Sequence, residues 1–455
     1  MEFPTLSNTP INQALSVIGK RIYQPNGIFY WTGRAKKEAE INATIGTAVG
    51  PETDILPAGG SHKITYYLPD IKQYMSFPPE RIASYAPIAG LPALREMWKK
   101  WIIHKGKRVA NMPSGPVDIA KRISTPTICN GITNAIYLTS KLFLNPGDTI
   151  ICPNKRWGNY NAVLHLQSGL EIASFQFFNE DAFNIAGMLA SMEQVVPTQR
   201  HVAIILNFPN NPTGYCPTPN EMAAIVQALK EFADTHQKPV VILCDDAYEG
   251  YTYSDQVCGN SIFYELVNQH PLFIPVKLDG ASKEMLLYGG RIGAVTLGIH
   301  SSWAKEESLQ ALKDEWDNKM QGMVRSTISN ANHFYQDVLL ELTEGGFARV
   351  IAGRERISHI LKERYDACIS SFAELSPVNL TMDPHGGGFF VFLNVEGTPA
   401  TDFADHLLKK YQVGTFPVAN PALGINGIRV AFCSIPVQQI ETCFQRIDAA
   451  IRDFQ

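Results

Sequence analysis

Four short apolar strings in the middle of the chain limit what it can fold into. They are GDTIICP (147–153), HVAIILNF (201–208), PVVILC (239–244) and GAVTLGI (293–299). All four read as buried strands. Between the second and third lies TPNEMAAIVQALKEFADTH. There Thr218 is a good N-cap, Pro219 fits the first turn and Glu221 completes a capping box. Met222, Ile225, Val226, Leu229 and Phe232 then recur at helical spacing. Strand, helix and strand in that order form a parallel crossover unit. The middle of the chain is therefore expected to be an α/β sheet with helices between its strands.

A second long helix is predicted at ERISHILKERYDACISSFAEL (355–375), with Ile357, Ile360, Leu361, Cys368, Ile369 and Phe372 as its apolar stripe. Strand-like GGGFFVFLNV (386–395), a helix near 402–411 and GIRVAFC (427–433) follow. This tail reads as a smaller α/β unit. The expected division is a large domain over 52–355, with residues 1–51 and 356–455 forming an N-terminal arm and the small domain.

Composition excludes several classes. The net charge of -4 gives no reason to expect nucleic acid or an anionic membrane as partner. The apolar strings are too short to span a bilayer. The N-terminal stretch lacks the basic and apolar regions of a signal peptide. The eight cysteines show no C-x-x-C pair or zinc spacing, and the histidines form no H-E-x-x-H, so no metal site is expected. The cysteines read as reduced thiols of a cytoplasmic protein.

Ligands of open parallel sheets bind beyond the carboxyl ends of the strands, and three loops there are unusual. NFPNNPTGY (207–215) fixes its backbone with two prolines and a glycine while offering Asn210 and Asn211. CDDAYEGY (244–251) places two carboxylates and Tyr248 straight after a strand. LDGASKEMLLYGGRIG (278–293) surrounds Lys283 with small residues and brings Arg291 close behind it. Each alone has an ordinary explanation: a polar turn, a helix cap, a solvated lysine. In combination they are far more specific.

With Asn211, Asp245, Lys283 and Arg291 in this order, the sequence resembles the class I/II aminotransferases, the fold-type I family dependent on pyridoxal 5'-phosphate, and most closely their aspartate and aromatic branch. The resemblance runs from about Ile41 to Val430. It implies a large domain with a mostly parallel, seven-stranded sheet flanked by helices, plus a smaller α/β domain. It also implies that Lys283 bonds covalently to the cofactor and, once freed, moves the Cα proton. Arg291 would grip the phosphate, Asp245 would pair with the pyridine nitrogen, and Tyr248 and Asn211 would hydrogen-bond the phenolic oxygen.

Other matched segments extend the implied site. Gly131, Ile132 and Thr133 open a helix in CNGITNAIYLTSKLFL, where backbone N–H groups suit a phosphate. Trp157 in RWGNYNAV would stack on the pyridine ring. Tyr85 in SYAPIAGLPALRE would reach the phosphate in a neighbouring subunit, which implies a homodimer with shared active sites. Arg429 in GIRVAFC would bind the substrate α-carboxylate. Ile45 and Gly46 in INATIG would close over the substrate. Arg325 in MVRSTISN would bind a distal carboxylate from the other subunit, with a helix arginine facing water as the equal alternative.

One departure stands inside the lysine segment. The family has a serine three residues before the lysine, and here that position is Gly280; either Ser282 supplies the hydroxyl or the phosphate has one fewer. The implied activity is amino transfer from an L-amino acid, acidic or aromatic, to a 2-oxo acid by a ping-pong cycle. A β-lyase or synthase on the same scaffold is the alternative. A non-catalytic sensor is a third, and the short, non-basic stretch before INATIG argues against it.

Overall fold

All four apolar strings enter one sheet. The computed structural model describes residues 4–23, 27–107, 119–375 and 377–454. Seven strands form the large sheet: β1 (Thr127–Cys129), β2 (Thr149–Pro153), β3 (Glu171–Phe175), β4 (Val202–Leu206), β5 (Val240–Asp245), β6 (Phe273–Gly280) and β7 (Gly293–Leu297). Their order across the sheet is β1-β7-β6-β5-β4-β2-β3. Neighbours β2 to β6 run parallel, and β7 is antiparallel to both β6 and β1. Hydrophobicity does not encode direction, so GAVTLGI reads the same either way. The direction follows from the connection: the chain returns from β6 through one short helix, Ala281–Glu284, and a tight turn. A parallel return has to run back the length of the sheet, usually as a long helix, and the four-residue helix here does not.

The helix between β4 and β5 spans Pro219–His236. Thr218 accepts from the Glu221 N–H at 3.2 Å, and Glu221 accepts from the Thr218 N–H at 2.8 Å, so the capping box is complete. Its predicted stripe, Met222, Ile225, Val226, Leu229 and Phe232, is buried.

The second sheet contains β8 (Leu380–Met382), β9 (Val391–Val395), β10 (Phe416–Asn420) and β11 (Ile425–Val430), all antiparallel in the order β8-β9-β11-β10. Helices Ala400–Tyr411 and Ile440–Asp453 pack with it. The N-terminal segment joins this side: Ile41–Asn42 pairs in parallel with Val413–Gly414, and Arg34 binds Asp405 at 2.6 Å. The long helix begins earlier than its apolar stripe suggested. It runs unbroken over Ala348–Leu375, through the position where the sequence placed a domain boundary.

GGGFFVFLNV is a strand only from Val391 onward. The glycines before it thread across to the large sheet. The Gly387 N–H donates to Gly214 O at 2.9 Å, and the Gly388 N–H donates to Tyr251 O at 2.8 Å. A Cβ on Gly387 would lie 2.4 Å from Tyr251 O. Bare glycine is what lets this crossing come so close.

Candidate active site

Strands β4, β5 and β6 end together, and the three unusual loops leave from those ends. Strand alternation turns Asp245 and Asp246 to opposite faces. Asp245 is 4% exposed. Burial raises its pKa, opposed by a hydrogen bond from Tyr160, the charge of Lys283 and the Ala247 N–H, which donates at 3.2 Å. Asn207 secures the same turn, its amide donating to Asp245 O at 2.8 Å. Lys283 is partly buried, with its Nζ 5.2 Å from the centre of the Tyr248 ring. Burial depresses its pKa; Asp245 resists this, and the cations Arg291 and Arg429 reinforce it.

Arg429 is 5% exposed and, among the described residues, pairs with no carboxylate. Its Nη1 donates to Asn211 Oδ1 at 3.0 Å and its Nη2 to Thr44 O at 2.7 Å, while Nε is buried without a partner. Phe390 lies under the guanidinium with its ring centre 4.0 Å away. Burial pushes the Arg429 pKa down to about 10. A buried guanidinium with a free donor and no anion beside it is built for an anionic ligand. Asn211 also hydrogen-bonds Tyr248, whose own pKa is raised by burial. Tyr248, Asn211 and Arg429 thus form one continuous group. Ile45 and Gly46 flank it: Cys433 Sγ contacts Ile45 O at 3.7 Å, and a Cβ on Gly46 would lie 2.4 Å from Phe390 Cζ.

A second cationic group sits around Arg291. Its Nη1 reaches Ser282 Oγ at 3.3 Å and Tyr288 O at 3.2 Å. The helix Gly131–Phe143 starts against it, and a Cβ on Gly131 would lie 2.4 Å from Nη2. Gly131 has φ of 77°, a conformation that disfavours any side chain. Ile132 and Thr133 follow in the first turn, with no side chain capping their N–H groups. Gly280 is explained here. It pairs with Gly293 across β6 and β7, and a Cβ would lie 2.6 Å from Ile292 O. A serine at 280 has no room, and Ser282 is the hydroxyl that the fold brings to Arg291.

Trp157 is half-buried and packs edge-on against Tyr160, ring centres 5.7 Å apart. Tyr160 is the residue that reading the sequence missed. It lies in the quoted RWGNYNAV, but nothing local shows that its hydroxyl meets a carboxylate from another strand. Tyr85 and Arg325 are not drawn into this group. Tyr85 is 88% exposed; Arg325 ends the helix Leu309–Arg325 at the surface and donates to Ser329 Oγ. The two segments are neighbours, since Asn330 Nδ2 donates to Ala86 O at 2.9 Å and His333 Nδ1 lies 2.8 Å from Ser84 O.

Residues 71–447 match the model of the family described as aminotransferase class I and II. The chain belongs to that family. Class I and II aminotransferases depend on pyridoxal 5'-phosphate, and the residues present fit it. Arg291, Ser282 and the Gly131 helix start gather a cation, a hydroxyl and uncapped N–H groups, the donor set that a phosphate takes. The charges of Arg291, Asp245 and Arg429 all act on the Lys283 amine, and the Arg429 Nε is buried without a partner among the described residues.

Among relatives, an aspartate aminotransferase of Geobacillus stearothermophilus is 30% identical over 211 residues. That match covers 46% of this chain and 47% of the relative, so it spans about half the relative's length. A "probable aspartate/prephenate aminotransferase" of Aquifex aeolicus is 22% identical over 81% of this chain and 84% of its own length. The crystal structure of an Anaerococcus prevotii aminotransferase superposes with a TM-score of 0.78 at 26% identity, covering 96% of this chain and 98% of that one. Among the described residues, no helix of this aminotransferase is long and apolar enough to cross a membrane.

Proposed function

We propose that this chain moves an amino group from an L-amino acid, acidic or aromatic, to a 2-oxo acid in a ping-pong cycle. One observation carries the reading. The amine of Lys283 lies in the field of two arginines, one beside a helix start and the other buried without a carboxylate partner. Two cations acting on one amine suit a ligand that carries both a phosphate and a substrate carboxylate.

When bound, the cofactor supplies an electron sink for the bond broken at Cα. The protein supplies the rest. Arg429 binds the substrate carboxylate with its free donors and its planar fork. Asn211 holds that arginine and, with Tyr248, would hydrogen-bond the phenolic oxygen of the cofactor. Tyr160, Lys283 and the Ala247 N–H favour the carboxylate of Asp245 against the effect of burial, and that carboxylate would pair with the pyridine nitrogen. Lys283, its pKa lowered by burial, is available as a neutral amine that removes the Cα proton and returns it. Phe390 backs the Arg429 guanidinium, and Gly46, packed against that ring, helps with Ile45 to exclude water.

The relatives named for aspartate support an acidic donor, and Arg325 is the residue we assign to its distal carboxylate. Tyr85 and Arg325 lie exposed on adjacent segments, which supports a homodimer whose subunits exchange these two side chains. Purified protein loaded with pyridoxal phosphate and offered single amino acids tests the reaction. Bleaching of the cofactor band by a donor and its return with a 2-oxo acid support it. Release of ammonia and pyruvate instead would make the chain a β-lyase. For specificity, Arg325→Leu is expected to reduce kcat/KM for acidic donors about 10–100-fold more than for aromatic ones. Equal losses for both would remove Arg325 from the substrate site.

A further inference from the structure

Behind the proposed reacting groups lies a cluster of buried charges that the mechanism above does not use. Three of the proposed reacting residues, Asp245, Tyr248 and Lys283, have a member of this cluster next to them in sequence. Asp246 follows Asp245, Glu249 follows Tyr248, Glu284 follows Lys283, and Asp279 precedes Gly280. The four carboxylates are almost fully buried, with side chains 3%, 2%, 0% and 0% exposed in that order. They face away from the site, toward the helix Pro92–Lys107 and the aromatic residues packed there.

Lys105 binds Glu249 and Glu284, each at 2.6 Å, and approaches Asp279 at 3.5 Å. Lys277 binds Asp246 at 2.5 Å and Glu249 at 2.8 Å. Trp98 Nε1 donates to Asp279 at 3.0 Å and Trp101 Nε1 to Glu284 at 2.7 Å. Arg354 lies 3.7 Å from Glu284 and donates to Glu249 O at 2.9 Å. The cluster therefore holds four carboxylates against Lys105, Lys277 and Arg354. Burial opposes charge on Lys105, but Glu249 and Glu284 outweigh it and keep the ammonium protonated.

The topology gives Lys105 a particular place. Among the described residues, Lys277 makes its ion pairs with two carboxylates of the loop after β5, Asp246 and Glu249. Lys105 joins that loop, through Glu249, to the turn carrying Lys283, through Glu284, and is the cation paired closely with a carboxylate of each; Arg354 spans the same two at 3.7 Å from Glu284, and the Tyr251 hydroxyl donates to Lys283 O at 2.9 Å. In the proposed reaction Lys283 detaches and reattaches, so covalent attachment cannot hold the two loops in register throughout the cycle.

Resting on the aminotransferase reading, we propose that Lys105 is a positioning residue. Its single ammonium ties Glu249 to Glu284 and so fixes the Asp245–Tyr248 loop against the Lys283 turn. Its contribution is charge, not volume. Removing it leaves four carboxylates facing two cations, and also removing the charge of Glu284 returns the native excess of one carboxylate.

The test compares Lys105→Met, Glu284→Gln and the double variant with wild type. Lys105→Met is expected to lower kcat about tenfold or more, as small misplacements of reacting groups do, with donor KM within about threefold. The double variant is expected to recover to within about threefold of wild type, because the charge excess is restored. The deficit of Lys105→Met should also shrink as pH falls, since a carboxyl left without its cation has a raised pKa and takes up a proton. In cofactor-free protein, amide exchange across 245–251 and 279–287 should be faster in Lys105→Met and slow again in the double variant. Equal losses in single and double variants at every pH, with unchanged exchange, overturn the proposal. If Lys105→Met alone does not fold, the double variant decides: folded and active supports the proposal, and folded but inactive or unfolded overturns it. Wild type that transfers no amino group would remove the reading beneath the proposal, while the exchange arm would still report whether Lys105 couples the loops.

Discussion

Arg429 shows what a single side chain reveals once its surroundings are known. In the sequence it is an arginine on a strand, flanked by Ile428 and Val430. In the structure it is buried between Phe390 and Asn211, with a donor unsatisfied and no anion to balance it. Arg429→Lys keeps a cation but loses the planar fork. Steady-state kinetics are expected to show kcat/KM for the donor down by about 10–100-fold, roughly 1.4–2.8 kcal/mol, mainly through KM. Tyr160 makes the complementary point. Its hydroxyl stabilises the Asp245 carboxylate against burial, so Tyr160→Phe raises the Asp245 pKa further. The carboxylate then forms only at higher pH, and the acidic limb of the kcat profile should move to higher pH. An unmoved limb would show that Asp245 does not depend on this hydroxyl. Lys283, Asp245, Asn211, Arg291 and Arg429 could be singled out from the sequence because each lies in a distinctive local string, and the structure lets the charges of Asp245, Arg291 and Arg429 act on Lys283 and ties Arg429 to Asn211. Tyr160 was not, because its role depends on a contact between residues 85 positions apart.

At the scale of elements, the apolar strings, the capping box and the buried stripe of Pro219–His236 were all readable, since period and caps are local properties. Strand direction was not, and β7 is the case in point. The run Gly386–Phe390 was read as strand because its phenylalanines look like β residues; close backbone contacts with Gly214 and Tyr251 take it out of the sheet instead. Glycine is equally decisive where β6 meets β7. Gly280→Ser forces a Cβ to within 2.6 Å of Ile292 O, and the helix start at Gly131 has no space to retreat, because a Cβ on Gly293 would already meet Gly131 at 2.5 Å. The substitution is expected to destabilise the protein by about 1–3 kcal/mol, read as a lower Tm, and not to improve cofactor binding. A stable variant that holds the cofactor more tightly would reverse this account of the glycine.

At the scale of the whole molecule, the buried charge cluster was invisible in the sequence. Lys105, Lys277, Glu249 and Glu284 come from separate elements, and a lone charged residue in a helix or loop reads as solvated. Assembly is also decided at this scale. With Tyr85 and Arg325 exposed on adjacent segments, the proposed homodimer predicts twice the 50.4 kDa chain mass in sedimentation at micromolar concentration. A monomer retaining full activity would assign both residues elsewhere.

The place of β1 at the edge of the sheet has a consequence for how the protein is made. Within the sheet, β1 pairs only with β7, which is made long after it. The helix start at Gly131 follows β1 directly, and Arg291 immediately precedes β7. During translation at about 5–20 residues per second, roughly ten to thirty seconds separate the emergence of these two halves of the anion cradle. On the proposed reading, a nascent chain lacks a complete phosphate site until both β1 and β7 have left the ribosome, and the cofactor is taken up late in synthesis or after it.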